Sequence, residues 1–290
     1  MTDAGGRTAD GGGVDGGGLD YAARHLDAVA RRGRLCVGVD PHPALLTAWG
    51  LGDDVDGLRA FTETVVRAVA PVAAAIKPQV ALFERFGSAG FAVLEEAIGA
   101  IAAAGALVIA DAKRGDIGST MAAYASAWLS SGSPLCSDAV TVSPYLGVGS
   151  LDPAFGDAAG SGRGVFVLAR TSNPEGASVQ LADLDGTTVA QSVIDAVAAR
   201  NAAGPASLGV VVGATRPHGL TLEAIGGPIL APGVGAQGGT PADVARIFDG
   251  AHRWVLPAVS REILGAGPDR TSLVSATEAM RDAVESALHS

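Results

Sequence analysis

Cysteine and long apolar runs are both scarce in this sequence, and each scarcity excludes a class of protein. The two cysteines among 290 residues, Cys36 and Cys136, are too few for a disulfide framework. We expect both to be reduced thiols in a cytoplasmic protein. No apolar run approaches the roughly 18 residues that a membrane-spanning helix requires, so we expect no membrane partner.

Positive charge is scarce as well. The chain carries 20 Lys and Arg against 30 Asp and Glu, which gives a net charge of −10. No basic stripe offsets this acidity, and this argues against a nucleic-acid partner. An anionic small molecule remains compatible with the composition, because one local cluster of Lys and Arg would be enough to bind it.

The first 18 residues differ from the rest of the chain. Residues 1–18 are mostly Gly, Asp and Ala with almost nothing to bury, so we predict a disordered tail. They also lack the apolar core of a signal peptide. Residues 19–290 show no break in composition, and the 48% apolar content of the chain supports a sizeable core. We expect these residues to form a single domain.

From Leu19 onward the sequence alternates between two patterns. Short runs rich in Val, Ile and Leu, bounded by Gly, Pro, Asp or Ser, are typical of buried parallel strands, and segments with helical spacing lie between them. Eight strands, each followed by a helix, predict an α/β fold, a (β/α)8 TIM barrel, with a doubly wound open sheet as the alternative. The predicted strands are Leu35–Asp40, Ala74–Gln79, Leu107–Lys113, Ala139–Tyr145, Gly164–Arg170, Leu208–Gly213, Pro228–Gly233 and Arg253–Ser260.

Several of the connecting segments carry helix signals. Apolar residues recur at helical spacing within Leu58–Val69 and within Phe91–Ile101, and Gly105 follows the second segment in a C-cap position. Thr240 and Pro241 are typical of an N-cap and of the first helical residue. These signals predict helices between the strands.

Polar and glycine residues cluster where the predicted strands end. Active sites of (β/α)8 barrels lie at the carboxyl ends of the strands, so we expect these residues to surround the site. Lys77 lies inside an apolar strand, where an unpaired lysine is costly. We expect Asp111 on the neighbouring strand to pair with it. The alternative is a lysine whose ammonium extends to the rim.

The segment 110–120 is the centre of this arrangement. Side chains alternate along a strand, so Asp111 and Lys113 are expected to point the same way, with Asp116 on the turn before the next helix. A carboxylate and an ammonium side by side set each other's pKa. The alternative is an ion pair that only closes the strand end.

A glycine-rich segment after the seventh predicted strand suggests a phosphate site. Gly233–Gly239 match G-x-G-x-x-G. In a dinucleotide fold this pattern follows the first strand, and an acidic residue comes about 20 positions later. Here the pattern follows the seventh predicted strand, and no acidic residue ends the next one. In a barrel, the loops after strands seven and eight commonly bind phosphate. Glycines let backbone N–H groups approach the oxygens, the helix that begins at Thr240-Pro241 favours an anion, and Arg261 adds a bidentate donor. The alternative is a plain glycine-rich turn.

These motifs resemble the orotidine 5′-phosphate decarboxylase family, in the longer (type 2) of its two sequence branches. The resemblance extends from about Asp20 to the C-terminus, and its core is Asp-x-Lys-x-x-Asp with the trailing Ile and Thr. The other motifs follow in the family's order: Gly-Val-Asp-Pro at Gly38–Pro41, Lys-Pro-Gln at Lys77–Gln79, Arg-Thr-Ser-Asn-Pro at Arg170–Pro174 and Pro-Gly-Val-Gly at Pro232–Gly235.

The resemblance implies an activity and a set of catalytic residues. The implied reaction is the decarboxylation of orotidine 5′-phosphate to uridine 5′-phosphate and CO2 in pyrimidine biosynthesis, with no cofactor and no metal. Lys113 would donate a proton to C6 of the pyrimidine after CO2 leaves. Asp111 would lie beside the substrate carboxylate, and Lys77 would hold these two residues and reach the ribose hydroxyls.

Further residues are implied to complete the site across a dimer or to bind the substrate. Asp116, a fourth catalytic residue, would reach into the partner subunit's site together with Ile117 and Thr120, which implies a homodimer with shared sites. Asp40 would bind the ribose hydroxyls and Ser172 the pyrimidine amide. Gln237 and Arg261 would bind the phosphate, and Gly235 and Ser260 are further residues implied to bind the substrate.

The chemistry of the residues is consistent with this reaction. Decarboxylation leaves an electron pair in the plane of the ring, where the π system cannot delocalise it. The sequence has no separate Schiff-base lysine signature, thiamine motif or Cys/His metal cluster, so a fixed positive charge must stabilise the anion, and Lys113 is the candidate. The alternatives are a magnesium-dependent decarboxylase of keto-sugar phosphates, an aldolase barrel with a Schiff base on Lys113 or Lys77, and a non-catalytic barrel that binds nucleotide phosphate.

Overall fold

The computed structural model describes residues 19–289 as a closed eight-stranded parallel barrel, so the predicted fold is confirmed and the open-sheet alternative is excluded. The predicted tail, residues 1–18, lies outside the described residues. The order of strands around the barrel is β1-β10-β9-β8-β5-β4-β3-β2, while β6 and β7 form a separate antiparallel hairpin. The strands are β1 (Cys36–Val39), β2 (Ala75–Pro78), β3 (Leu107–Arg114), β4 (Ala139–Val142), β5 (Gly164–Arg170), β6 (Asp183–Leu184), β7 (Thr187–Thr188), β8 (Leu208–Val212), β9 (Ile229–Pro232) and β10 (Val255–Val259).

Helices lie between the barrel strands as the apolar spacing predicted. Gly105, with φ +77°, lies just beyond the C-terminal end of a helix, and Thr240 caps a helix whose first residue is Pro241. No helix within residues 19–289 is long and apolar enough to span a membrane. The helices are α1 (Tyr21–Arg32), α2 (Pro43–Ala48), α3 (Val55–Val69), α4 (Val80–Glu84), α5 (Gly87–Ala103), α6 (Gly118–Leu129), α7 (Asp152–Ser161), α8 (Ala177–Gln180), α9 (Val189–Ala203), α10 (Pro241–Ile247), α11 (Arg261–Leu264) and α12 (Arg270–His289).

The core has two layers because each barrel strand is buried on both faces. Side chains on one face pack against the surrounding helices, and side chains on the other fill the barrel interior, among them Ile109 and Phe166. Apolar runs without polar alternation follow from this double burial.

One end of the barrel is closed by α1. The Tyr21 ring meets the Phe166 ring edge-on, with centroids 5.8 Å apart. Gly164, the first residue of β5, leaves room for that ring, because a Cβ there would lie 2.4 Å from Tyr21 Cδ1. The amino ends of the strands are therefore packed, and the carboxyl ends are left to form the site.

Candidate active site

A cavity of about 410 Å³ lies at the carboxyl ends of the barrel strands, a volume typical of small-molecule sites. Three cationic side chains (Lys77, Lys113 and Arg261) and two carboxylates (Asp40 and Asp111) line it, so the cavity is locally positive in an acidic chain. Such a balance suits an anionic ligand. Apolar side chains complete the wall: Leu168, Val211, Leu230 and Ala258.

Asp111 accepts four hydrogen bonds within this cavity. Its Oδ1 accepts from Lys113 Nζ at 2.6 Å and from Thr141 Oγ1 at 3.0 Å. Its Oδ2 accepts from Lys77 Nζ at 2.8 Å and from Gln79 Nε2 at 3.0 Å. The predicted pairing of Lys77 with Asp111 is confirmed, and the carboxylate's lone pairs are all in use.

The charges of this cluster stabilise one another. Burial alone would raise the pKa of Asp111, but the ammonium groups of Lys77 and Lys113 outweigh it and hold that pKa well below its usual range. Burial alone would lower the pKa of Lys77, but the carboxylates of Asp111 and Asp40 raise it above its ordinary value. The Lys77 side chain is 9% exposed, whereas the Lys113 side chain is 45% exposed, so Lys113 is the ammonium that a ligand can reach.

The strand is irregular at Lys113, which the alternation rule did not predict. Lys113 has φ +48°, in the left-handed region that residues with a side chain rarely adopt. The pairing of β3 with β4 shifts register between Ala110 and Arg114. Thr141 on β4 contacts the backbone at this irregularity, since its Oγ1 accepts a hydrogen bond from Lys113 N at 2.9 Å. Thr141 carried no signal in the sequence, because a threonine within a strand is ordinary.

Asp40 and Ser260 lie side by side at the ends of β1 and β10, and both line the cavity. Asp40 Oδ1 and Ser260 Oγ are buried and make no hydrogen bond within residues 19–289. Gly38 permits this arrangement, because a Cβ there would lie 2.8 Å from Ser260 Cβ and 3.2 Å from Asp40 Oδ1. Both residues border the cavity, and polar atoms without a partner there are candidates for hydrogen bonds with hydroxyl groups of a ligand.

Within the described part of the chain, the glycine-rich loop contributes two residues with unpaired backbone N–H groups to the cavity lining. The loop is closed by hydrogen bonds from Gly235 N to Gly239 O and from Gly239 N to Gly233 O. The N–H groups of Ala236 and Gln237 make no hydrogen bond within residues 19–289, and both residues line the cavity. These donors are suited to an anion.

Arg261 also lines the cavity and directly follows Ser260 at the end of β10. Its guanidinium forms no ion pair with any residue of the described chain, in contrast to Lys77 and Lys113. An exposed, unpaired guanidinium near free backbone N–H groups is a bidentate donor for a phosphate. Arg261 and the loop are therefore the candidate phosphate-binding groups of this cavity.

The predicted part of Thr240-Pro241 in anion binding is not supported. Thr240 donates from its backbone N and from Oγ1 to Asp243 Oδ2, at 3.0 and 2.7 Å. Hydrogen bonds from Arg246 and from Thr240 lower the pKa of Asp243 to about 2, so the first turn of α10 already holds a negative charge. The sequence showed the cap but not that the carboxylate three residues later would take the place of a ligand.

Several predicted site residues lie outside this chain's cavity. Asp116 Oδ1 accepts from the backbone N of Ile117 at 2.8 Å, Ile117 is 61% exposed, and Thr120 is exposed. Ser172 does not line the cavity either, but its Oγ donates to Gln237 Oε1 at 3.0 Å. Gly235 lies within the phosphate loop without lining the cavity, with φ +78°.

Known proteins resemble this chain over most of its length. The family model described as "Orotidine 5'-phosphate decarboxylase / HUMPS family" matches residues 33–275. The orotidine 5′-phosphate decarboxylase of Salinispora arenicola is 58% identical over 262 residues, which cover 89% of this chain and 94% of the relative. That of Corynebacterium glutamicum is 55% identical over 257 residues, which cover 87% and 92%.

A crystal structure of a related protein has the same fold. It comes from Streptomyces avermitilis and superposes with a TM-score of 0.91 at 52% identity. The match covers 96% of this chain and 99% of that one. The similarity therefore extends over nearly the whole chain.

Proposed function

The chain belongs to the orotidine 5′-phosphate decarboxylase / HUMPS family, and from this we propose how its cavity performs the reaction. The chain is a carboxy-lyase that converts orotidine 5′-phosphate to uridine 5′-phosphate in pyrimidine biosynthesis. In our proposal Lys113 is the catalytic cation. The observation that carries it is the Lys113 ammonium, held 2.6 Å from Asp111 and exposed to the cavity.

The proposed role of Lys113 follows from where the negative charge develops. Loss of CO2 leaves an electron pair at C6 in the ring plane, and a fixed positive charge beside that carbon stabilises the transition state more than the ground state. The ammonium then gives its proton to C6, which completes the product. The charge acts more strongly in a site that excludes water than it would in solution.

Asp111 and Lys77 hold that ammonium in place. Asp111 Oδ1 accepts the hydrogen bond of the Lys113 ammonium. The buried Lys77 ammonium lies 2.8 Å from Asp111 Oδ2 and compensates the negative charge of that carboxylate. A catalytic charge that is already oriented needs no reorganisation at the moment of reaction. We therefore assign Asp111 and Lys77 to positioning Lys113, with Asp111 also beside the substrate carboxylate.

The remaining groups of the cavity bind the nucleotide away from the reacting carbon. We assign Asp40 and Ser260 to the ribose hydroxyls, and Arg261 with the N–H groups of the glycine loop to the phosphate. Ser172, which donates to Gln237, would contact the pyrimidine amide from the β5 loop. Binding energy from the phosphate and ribose is then available for the chemical step.

The absorbance of orotidine 5′-phosphate, followed with and without a chelator, tests the proposed decarboxylation. We expect bleaching at the same rate in both samples, because the proposed chemistry uses only side chains. Within residues 19–289 no group of three or more His, Cys, Asp or Glu is placed to hold a metal ion. A chelator-sensitive rate would favour a magnesium-dependent barrel. Borohydride trapping of a keto-sugar phosphate would favour an aldolase, and uridine 5′-phosphate binding without bleaching would favour a non-catalytic barrel.

Arg261→Ala is expected to weaken phosphate binding. A hydrogen bond to a charged group contributes about 1.5–3 kcal/mol, so the KM for orotidine 5′-phosphate should rise about 10- to 100-fold. The measurement is steady-state kinetics together with the Kd of uridine 5′-phosphate. The matched control is Arg253→Ala, an exposed arginine just before β10 at the opposite end of the barrel. Unchanged KM and Kd in Arg261→Ala would refute the assignment.

We also propose that the enzyme is a homodimer in which each site is completed by the partner. An exposed apolar patch formed by Ile117, Tyr145 and Leu146, which are 61%, 81% and 53% exposed, lies on the loops after β3 and β4. Those loops are adjacent, since Ser143 N donates to Arg114 O at 2.8 Å. Patches of this kind mark interfaces, and Asp116 on the same loop would then enter the partner's cavity.

Mixed dimers of Lys113→Ala and Asp116→Ala subunits test this arrangement. If Lys113 and Asp116 of one site come from different subunits, each mixed dimer has one intact site, and random exchange restores roughly a quarter of the native sites. The measurement is decarboxylase activity after the two inactive variants are unfolded and refolded together, with wild type refolded alone as the control. No recovery of activity would mean that both residues act within one subunit.

We further propose that the enzyme works in the cytoplasm. Cys36 is buried and Cys136 is partly buried, and both are free thiols. Proteins of reducing compartments typically keep their cysteines in this state.

A further inference from the structure

Thr141 makes two hydrogen bonds at the centre of the charged cluster. It lies on β4, is fully buried, and its Oγ1 donates to Asp111 Oδ1 at 3.0 Å. The same oxygen accepts from Lys113 N at 2.9 Å. A hydroxyl has one hydrogen to donate, and an ionised carboxylate can only accept. The hydroxyl therefore has one orientation. Its hydrogen points to Asp111 Oδ1, and one of its lone pairs accepts the hydrogen of Lys113 N.

The backbone at Lys113 needs such a partner. Its φ of +48° is a conformation that surrounding contacts must hold in a residue other than glycine. The register shift between β3 and β4 at this point takes the Lys113 N–H out of the regular ladder. The side chain of Thr141 replaces the backbone carbonyl that would otherwise accept this hydrogen, so the partly buried N–H is satisfied.

One hydroxyl thus acts on both ends of the Lys113 side chain. It fixes the backbone from which the side chain departs, and it fixes Asp111, whose Oδ1 binds the Lys113 ammonium at 2.6 Å. We propose that Thr141 is a positioning residue for decarboxylation, which sets the place of the Lys113 ammonium in the cavity. The inference rests on the catalytic role proposed for Lys113.

Thr141→Val and Thr141→Ser separate the hydroxyl from the shape of the side chain. Valine keeps the branched shape and removes both hydrogen bonds, and a displacement of about 1 Å in a reacting group can reduce turnover by about 10²-fold. We expect Thr141→Val to lower kcat by about that factor, while the KM changes less than about threefold because Asp40 and Arg261 follow other strands, β1 and β10. Serine restores the hydroxyl, so Thr141→Ser should recover most of kcat.

The matched control is Thr62→Val. Thr62 is another buried threonine, 2% exposed on α3, and its Oγ1 has no hydrogen-bond partner within residues 19–289. It does not line the cavity, so the same substitution should leave kcat and KM unchanged. Titration of each variant with uridine 5′-phosphate reports binding independently of turnover.

Two results would overturn the inference. One is a Thr141→Val enzyme with wild-type kcat. The other is a parallel loss of kcat and of uridine 5′-phosphate affinity that Thr141→Ser does not recover, which indicates a structural role. Lys113→Ala measured in the same assay separates the two proposals. If Lys113→Ala is inactive and Thr141→Val is not, only the role of Thr141 fails, and if Lys113→Ala keeps wild-type turnover, the role of Lys113 fails as well.

Discussion

Lys113→Ala is expected to lose more than about 10³-fold in kcat, because it removes the charge proposed to stabilise the carbanion together with the proton donor. Binding should persist, since Arg261, Asp40 and the glycine loop are unchanged and line other parts of the cavity. The fold should persist too, because the Lys113 side chain is 45% exposed. The measurements are the bleaching of orotidine 5′-phosphate and calorimetric titration with uridine 5′-phosphate.

Lys113→Arg is the matched control for this variant. The guanidinium keeps the charge but is planar and always protonated, so it can neither occupy the same point nor give up a proton at neutral pH. We therefore expect Lys113→Arg to bind uridine 5′-phosphate and remain nearly inactive, which would show that charge alone is insufficient. Near wild-type turnover in Lys113→Ala would refute the proposed mechanism.

Asp111→Asn is expected to reduce both stability and turnover. Asp111 is 8% exposed and compensates Lys77, which is 7% exposed. Removing one partner of a buried ion pair leaves a charge without compensation and lowers the free energy of unfolding by about 3–5 kcal/mol. The Lys113 ammonium also loses the carboxylate that holds it at 2.6 Å, so kcat should fall by at least about 10²-fold. Urea denaturation and the absorbance assay measure the two effects.

The double variant Asp111→Asn/Lys77→Met distinguishes the two effects. Replacing both members of a buried pair with neutral groups is often close to neutral for stability, so the unfolding free energy should return towards the wild-type value. Turnover should stay low, because Lys113 still lacks the carboxylate that holds its ammonium. If Asp111→Asn is as stable as wild type, the charge of Lys77 is not compensated chiefly by Asp111.

The barrel was predictable from the sequence because its signals are local or periodic. Strands buried on both faces must be continuously apolar, and each predicted strand overlaps an observed one with ends that differ by at most three residues. The pairing of Lys77 with Asp111 was predictable as well. A lysine inside an apolar strand requires a nearby carboxylate, and neighbouring strands of a barrel provide one.

The identity of the charged residues was therefore determined by the sequence, and their geometry was decided by the tertiary structure. The left-handed backbone of Lys113 and its bond to Thr141 depend on how β4 packs against β3, and no local pattern encodes that register. The sequence likewise did not determine whether Asp243 or a ligand would accept the hydrogen bonds at the start of α10. Sequence specifies which groups are costly to bury alone, whereas only packing decides which of the available partners satisfies each group.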